Sequence, residues 1–132
     1  MNFSSFKLHP QIMAGVEAAG YQTPTPIQKQ AIPPVMEGSD VMGLAQTGTG
    51  KTAAFVLPIL ERLLTGPRGK VRALIIAPTR ELAEQINESF VALGRQTKLR
   101  SMTVYGGVGI NPQIQKLRTG VEIGRASCRE RV

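Results

Sequence analysis

Apolar positions recur along the chain with two periods, one typical of amphipathic helices and one of short buried strands. The helical period predicts five helices, at residues 12–19, 26–32, 50–64, about 82–93 and about 114–117. Compact apolar runs predict three strands, at residues 40–44, 71–77 and 99–105. This alternation indicates an α/β fold in which helices flank a parallel sheet.

The pattern also predicts how two of these segments are buried. Residues 71–77 are apolar on both faces of the predicted strand, as expected of a strand covered by helices on each side. The helix that follows has one apolar face, formed by Leu82, Ile86, Phe90 and Leu93.

Composition narrows the class of protein. A chain of 132 residues makes one domain at most, and a hydrophobic fraction of 42% excludes a disordered chain. No apolar run approaches the roughly 18 residues of a membrane helix, and we expect no membrane contact. The first residues lack the apolar stretch of a secretory signal, and a single cysteine cannot build a disulfide framework, so we expect a reducing cytoplasm.

The formal net charge is +7, from 16 basic and 9 acidic residues. That balance is compatible with a polyanionic partner, although a generic basic surface explains it equally well. Three arginines lie in the last eight residues, so the excess belongs partly to the tail.

The segment "AQTGTGKT" stands between a predicted strand and a predicted helix, which is the context of a phosphate-binding loop. Its glycines let backbone N–H groups approach phosphate oxygens, Lys51 would reach the terminal phosphates, and the Thr52 hydroxyl would coordinate Mg²⁺. Ala45 occupies the position where this pattern usually has its first glycine. The predicted nucleotide contacts of the loop are Ala45, Gln46, Thr47, Gly48, Thr49, Gly50, Lys51 and Thr52.

A second candidate lies upstream, where Thr25 and Pro26 form a helix start. The side-chain amide of Gln28 both donates and accepts, which matches the donor and acceptor on the adenine edge; guanine presents two acceptors there.

The motifs "GYQTPTPIQ", "AQTGTGKT" and "PTRELA", with Phe3 ahead of them, resemble the N-terminal half of the first RecA-like domain of bacterial-type DEAD-box ATP-dependent RNA helicases. The resemblance runs from Phe3 to about residue 123. It implies an adenine-recognition segment over residues 1–30, with Phe3, Tyr21 and Gln28 in the pocket. It also implies an incomplete RecA-like P-loop NTPase domain over residues 31–123, which uses ATP and Mg²⁺.

The segment "APTRELA" places a capping threonine and an arginine at a predicted helix start, where helix N–H groups and Arg80 could bind a phosphate. Arg80 could equally be a solvated cation, and the glycines after Tyr105 an ordinary turn. The resemblance favours contact with the RNA backbone, which would be independent of sequence. The implied RNA contacts are Pro78, Thr79, Arg80, Gly106 and Gly107.

The end of the chain departs from the family's pattern. Residues 124–132 read "GRASCRERV", whose charges do not suit a buried strand. The string "IGRASCRERV", from Ile123, resembles one reading frame of a sequencing-adapter oligonucleotide. We therefore interpret the tail as non-native, with the native sequence ending near Glu122, and a frameshifted or divergent native end as the alternative.

Carboxylates for catalysis are also scarce. Asp40 is the sole aspartate and lies on the far side of the predicted sheet from a metal site. We therefore expect an ATP-dependent RNA helicase in the full-length parent and an inactive fragment here. A non-hydrolysing ATP-dependent RNA-binding module and a small P-loop kinase remain the alternatives.

Overall fold

A computed structural model describes residues 2–106 and 109–127. A short 3₁₀ helix, Phe3–Phe6, precedes the first α-helix. The regular elements that follow, in chain order, are α1 (Pro10–Ala18), α2 (Pro26–Met36), α3 (Lys51–Leu64), β1 (Ala73–Ala77), α4 (Arg80–Leu93), β2 (Ser101–Tyr105), α5 (Ile110–Arg118) and β3 (Ile123–Ser127). The predicted helices are confirmed, and α2 continues beyond residue 32 through Pro33 and Pro34.

The three strands form one parallel sheet in the order β1-β3-β2. Ile123 pairs with Ala73 on one side and with Ser101 on the other, and Ser127 pairs with Ala77 and Tyr105. The parallel α/β prediction is confirmed.

The expectation that the segment beginning at Gly124 cannot form a strand is wrong, because β3 occupies the centre of this sheet. Gly124 is buried between Val71 and Leu74 of the neighbouring chain segment. A parallel ladder is made by backbone groups, so two flanking strands can hold a segment whose composition does not favour a strand. Residues 128–132 lie outside the described residues.

The predicted strand at residues 40–44 does not form. Met42 and Leu44 are 87% and 86% exposed, and no described strand pairs with this segment. Val41 and Gly43 lie instead beside Ile27 of α2. An apolar run becomes a strand only where another strand offers its backbone groups, and that condition is not met here.

Helix α4 packs across all three strands on one face of the sheet. The other face is open at β1, where Leu74 and Ile76 are each 64% exposed, so the expectation that residues 71–77 are covered on both faces is wrong. The strand itself begins at Ala73, two residues later than predicted.

The core lies between α1, α3, α4 and the covered face of the sheet. The buried side of α4 is formed by Ala83, Ile86, Phe90 and Leu93. Leu82 was predicted on this face but is partly exposed, because Ala83 takes its place in the 3-4-3 spacing. Among the helices of the described ranges, none has the length and apolar character needed to cross a membrane.

Candidate functional site

The loop at residues 45–50 leads directly into α3, as predicted. Gly48 and Gly50 have φ angles of 82° and 83°, in the left-handed region that favours glycine. Within the described residues, no group accepts a hydrogen bond from the backbone N–H groups of residues 47–52. These donors surround the positive end of the α3 dipole, an arrangement that can accept an anion, and phosphate binding by this loop stays a prediction.

Lys51 lies across this loop. Its ammonium group donates to the carbonyl of Ala45, and the hydroxyl of Thr49 donates to the carbonyl of Gln46 at 2.6 Å. The loop is therefore shaped by its own side chains. A phosphate bound in it would replace the Ala45 carbonyl as the partner of Lys51, which is exposed.

A cleft of about 700 Å³ joins the phosphate loop to Tyr21. Tyr21 is 41% exposed, whereas Phe3 is 3% exposed. The two rings stack with centroids 6.0 Å apart at 27°, and Phe3 meets Phe6 edge-on at 5.9 Å. Tyr21 can thus offer a ring face to a ligand, while Phe3, predicted as a pocket residue, supports that ring from behind.

Gln28 is buried, and the protein itself uses both ends of its amide. The oxygen accepts from the backbone N–H of Thr25 at 2.9 Å, and Nε2 donates to the carbonyl of Gly50 at 3.1 Å. Gln28 therefore links the start of α2 to the phosphate loop. Each end of the amide can make one more hydrogen bond, and contact with adenine stays a prediction.

The opposite wall of the cleft was missed by sequence reasoning. It is formed by one face of α4, through Leu82, Gln85, Glu88, Ser89 and Ala92. These residues are spaced at helical intervals and lie beside the buried stripe. The periodicity that located the core could have located this wall as well.

Metal-binding side chains are sparse around the loop. No group of three or more histidine, cysteine, aspartate or glutamate residues lies together among residues 2–106 and 109–127. Asp40 is exposed in the irregular segment ahead of the loop. Thr52, in the first turn of α3, offers a hydroxyl oxygen of the hard type that Mg²⁺ prefers and lines the same cleft.

The carboxyl edge of the sheet carries the second predicted group of residues. The Thr79 hydroxyl accepts from the N–H of Leu82 at 3.1 Å, which confirms it as the N-cap of α4. Arg80 donates from Nη2 to the carbonyl of Gly106 at 2.6 Å.

This contact connects the ends of two strands that are not neighbours. Because β3 separates β1 from β2, the two ends are about 10 Å apart. Arg80 spans that distance, so Pro78, Thr79, Arg80 and Gly106 lie along one edge. Gly107 lies outside the described residues.

The chain is similar in sequence to a family of known proteins. The family model described as "DEAD/DEAH box helicase" matches residues 25–127. The chain is 47% identical to the ATP-dependent RNA helicase RhlB of Xanthomonas campestris, over 93% of this chain and 22% of that protein. It is also 47% identical to the DEAD-box ATP-dependent RNA helicase CshA of Streptococcus pneumoniae and to CshA of Limosilactobacillus reuteri, over 93% of this chain and 23% and 24% of those proteins.

The chain thus spans less than a quarter of the length of these relatives. The family match covers α2 to β3 and includes the phosphate loop, the start of α4 and all three strands. The chain belongs to the DEAD/DEAH box helicase family.

Proposed function

We propose that the full-length protein is an ATP-dependent RNA helicase that couples ATP hydrolysis to the separation of RNA strands. The observation that carries the proposal is the cleft in which free backbone N–H groups, Lys51 and the Tyr21 ring converge. The names of the relatives, which are ATP-dependent RNA helicases, support the choice of ATP and RNA. ATP and RNA are both abundant in the cytoplasm, where we place the protein.

In this proposal the nucleotide lies along the cleft with its phosphates at the loop. The N–H groups of residues 47–52 bind phosphate oxygens, and Lys51 exchanges the Ala45 carbonyl for the terminal phosphate. Thr52 is the residue that would hold Mg²⁺, which when bound neutralises phosphate charge. The adenine stacks on Tyr21, and the second donor and acceptor of the Gln28 amide contact its edge.

RNA is assigned to the carboxyl edge of the sheet. The positive end of the α4 dipole at Thr79, the Arg80 guanidinium and the exposed Gly106 backbone suit sugar and phosphate. No base-reading group is needed for such contacts, so binding is independent of sequence and weakens with salt. The carboxylates that complete hydrolysis are proposed to lie outside residues 1–132, so this chain alone is inactive.

The test is RNA-stimulated phosphate release by the full-length protein. Lys51→Ala is expected to abolish phosphate release, because the loop at residues 45–52 loses its only side-chain cation. Lys29→Ala, at an exposed lysine of α2, is the matched control and should release phosphate as wild type does. Tight ATP binding without phosphate release would favour the non-hydrolysing module. ATP turnover that ignores RNA and survives Gln28→Ala with unchanged ATP preference would favour a kinase.

A further inference from the structure

The end of the sheet opposite to Arg80 and Gly106 carries a separate positive surface. Four cations line one shallow depression of about 400 Å³ at the amino ends of the strands. We name this group the rear basic surface: Arg95, Lys98, Arg100 and Lys116. Since β2 is five residues long, Arg100 and Gly106 are separated by about 16–20 Å. One phosphate cannot contact both ends.

Most of the positive charge of this surface has no acidic partner. Residues 89–121 contain five lysines and arginines and no aspartate or glutamate. Glu122, which directly follows this segment, is buried and already lies 3.9 Å from both Arg68 and Arg100. Within the described ranges, Arg95, Lys98 and Lys116 have no acidic partner within 4.0 Å.

Cations at helix ends have an ordinary explanation, which accounts for only part of this surface. Helices α4 and α5 both end here, and each C-terminus carries a partial negative charge of about half a unit. Two such ends and Glu122 amount to about two negative charges. The four cations of the rear basic surface and Arg68 carry five positive charges. These exceed the negative charge around them by about three.

The loop that presents these cations is internally fixed. Thr97 is buried, its hydroxyl donates to the carbonyl of Gly94 at 2.6 Å, and the N–H of Leu99 donates back to that hydroxyl at 3.2 Å. Arg68 binds the carbonyl of Thr97 through both terminal nitrogens at 3.3 Å. Lys98 is consequently held outward at a φ of 60°, in the left-handed region.

We propose that the rear basic surface binds the phosphate backbone of RNA outside the segment held at the carboxyl edge. Besides its four cations, the depression is lined by aliphatic residues, glycines, Ser101 and Thr119, and none of its described lining residues has an aromatic ring on which a base could stack. Phosphates are therefore the groups that it recognises. The inference rests on the proposed RNA substrate and adds a second, distant contact to it.

The test uses the full-length protein with a short single-stranded RNA, which the carboxyl edge alone can hold, and a long one. The triple variant Arg95→Gln/Lys98→Gln/Lys116→Gln removes three cations and spares Arg100, which is tied to Glu122 and to the Thr119 carbonyl. The matched control, Lys7→Gln/Lys29→Gln/Arg62→Gln, removes three exposed cations elsewhere.

The triple variant should leave ATPase stimulation by the short RNA unchanged and weaken binding of the long RNA. Three lost phosphate contacts reduce the salt slope of long-RNA binding by about 2, at about 0.7 per contact on a single strand. The ratio of the long-RNA affinity of wild type to that of the variant should then fall about twentyfold between roughly 50 and 200 mM salt. The control variant should keep the wild-type slope.

Four results would overturn the inference. Equal slopes for the triple variant and wild type would show that the surface does not bind RNA, and an equal loss in the control would reduce the effect to net charge. A triple variant that loses binding of polyglutamate but not of RNA would assign the surface to acidic proteins.

If the ATPase of wild type does not respond to the short RNA, both the proposed function and the inference are refuted. If it responds normally but the salt slopes are equal, the inference alone is refuted.

Discussion

Gly50 connects the loop at residues 45–50 to the start of α2 through Gln28, and its replacement by alanine tests that junction. Gly50 has a φ of 83°, which costs a residue with a Cβ roughly 1–2 kcal/mol. A Cβ there would also lie 2.4 Å from Nε2 of Gln28 and 3.1 Å from the Thr25 hydroxyl. The Gln28 amide must therefore move.

Moving the amide breaks its bonds to Gly50 and Thr25, of 3.1 and 2.9 Å. At about 1 kcal/mol for each bond, Gly50→Ala should destabilise the start of α2 by about 3–4 kcal/mol. Gly48→Ala is the matched control, because Gly48 has a φ of 82° but nothing within 4 Å of the added Cβ. It should cost only the conformational part, roughly 1–2 kcal/mol.

Native-state hydrogen exchange on the α2 amides of the full-length protein measures this difference. The α2 amides should exchange about thirtyfold faster in Gly50→Ala than in Gly48→Ala, since about 2 kcal/mol separates the two variants. Adding Gln28→Ala to Gly50→Ala should cost less than the sum of the single changes, because the clashing amide is already absent. Equal exchange in the two glycine variants, or strict additivity, would refute this account of the junction.

The remaining predictions concern packing, capping and the open sheet face. Gly15→Ala places a Cβ 2.1 Å from the backbone oxygen of Leu93 and should separate α1 from α4 at a cost of about 1–3 kcal/mol; unchanged urea unfolding would show that the helices move apart freely. Thr79→Ala should cost about 1 kcal/mol through its lost N-cap bond, and Thr79→Ser should restore it; if Ala and Ser unfold alike, the cap contributes nothing. The exposed apolar face of β1 should make the 132-residue chain self-associate, and Leu74→Lys and Ile76→Lys should reduce its light scattering; unchanged scattering would exclude this face as the cause.

Much of the site was readable from local sequence. The phosphate loop, its two glycines and the helix start at Lys51 are specified by residues within a few positions of one another. The same is true of the cap at Thr79 and of Pro26 at the start of α2. Such features depend on backbone preferences and short-range hydrogen bonds, and these act before any tertiary contact is made.

Contacts between distant segments decided which segments became strands and which side chains lie together. The segment at residues 40–44 has the composition of a strand but no pairing partner, whereas Ile123–Ser127 lacks that composition and lies between two partners. The sequence also did not show that Phe3 stacks against the Tyr21 ring or that the Gln28 amide ties α2 to Gly50. Their contact with a nucleotide stays a prediction.

The sequence by itself determined where the glycine loop lies and where the helices begin, because those properties are local. The tertiary structure decided which strand became central, which aromatic ring stayed exposed and where cations from α4, β2 and α5 gathered. Pairing, burial and charge density depend on distances between residues that are far apart in the chain, and no local pattern contains those distances.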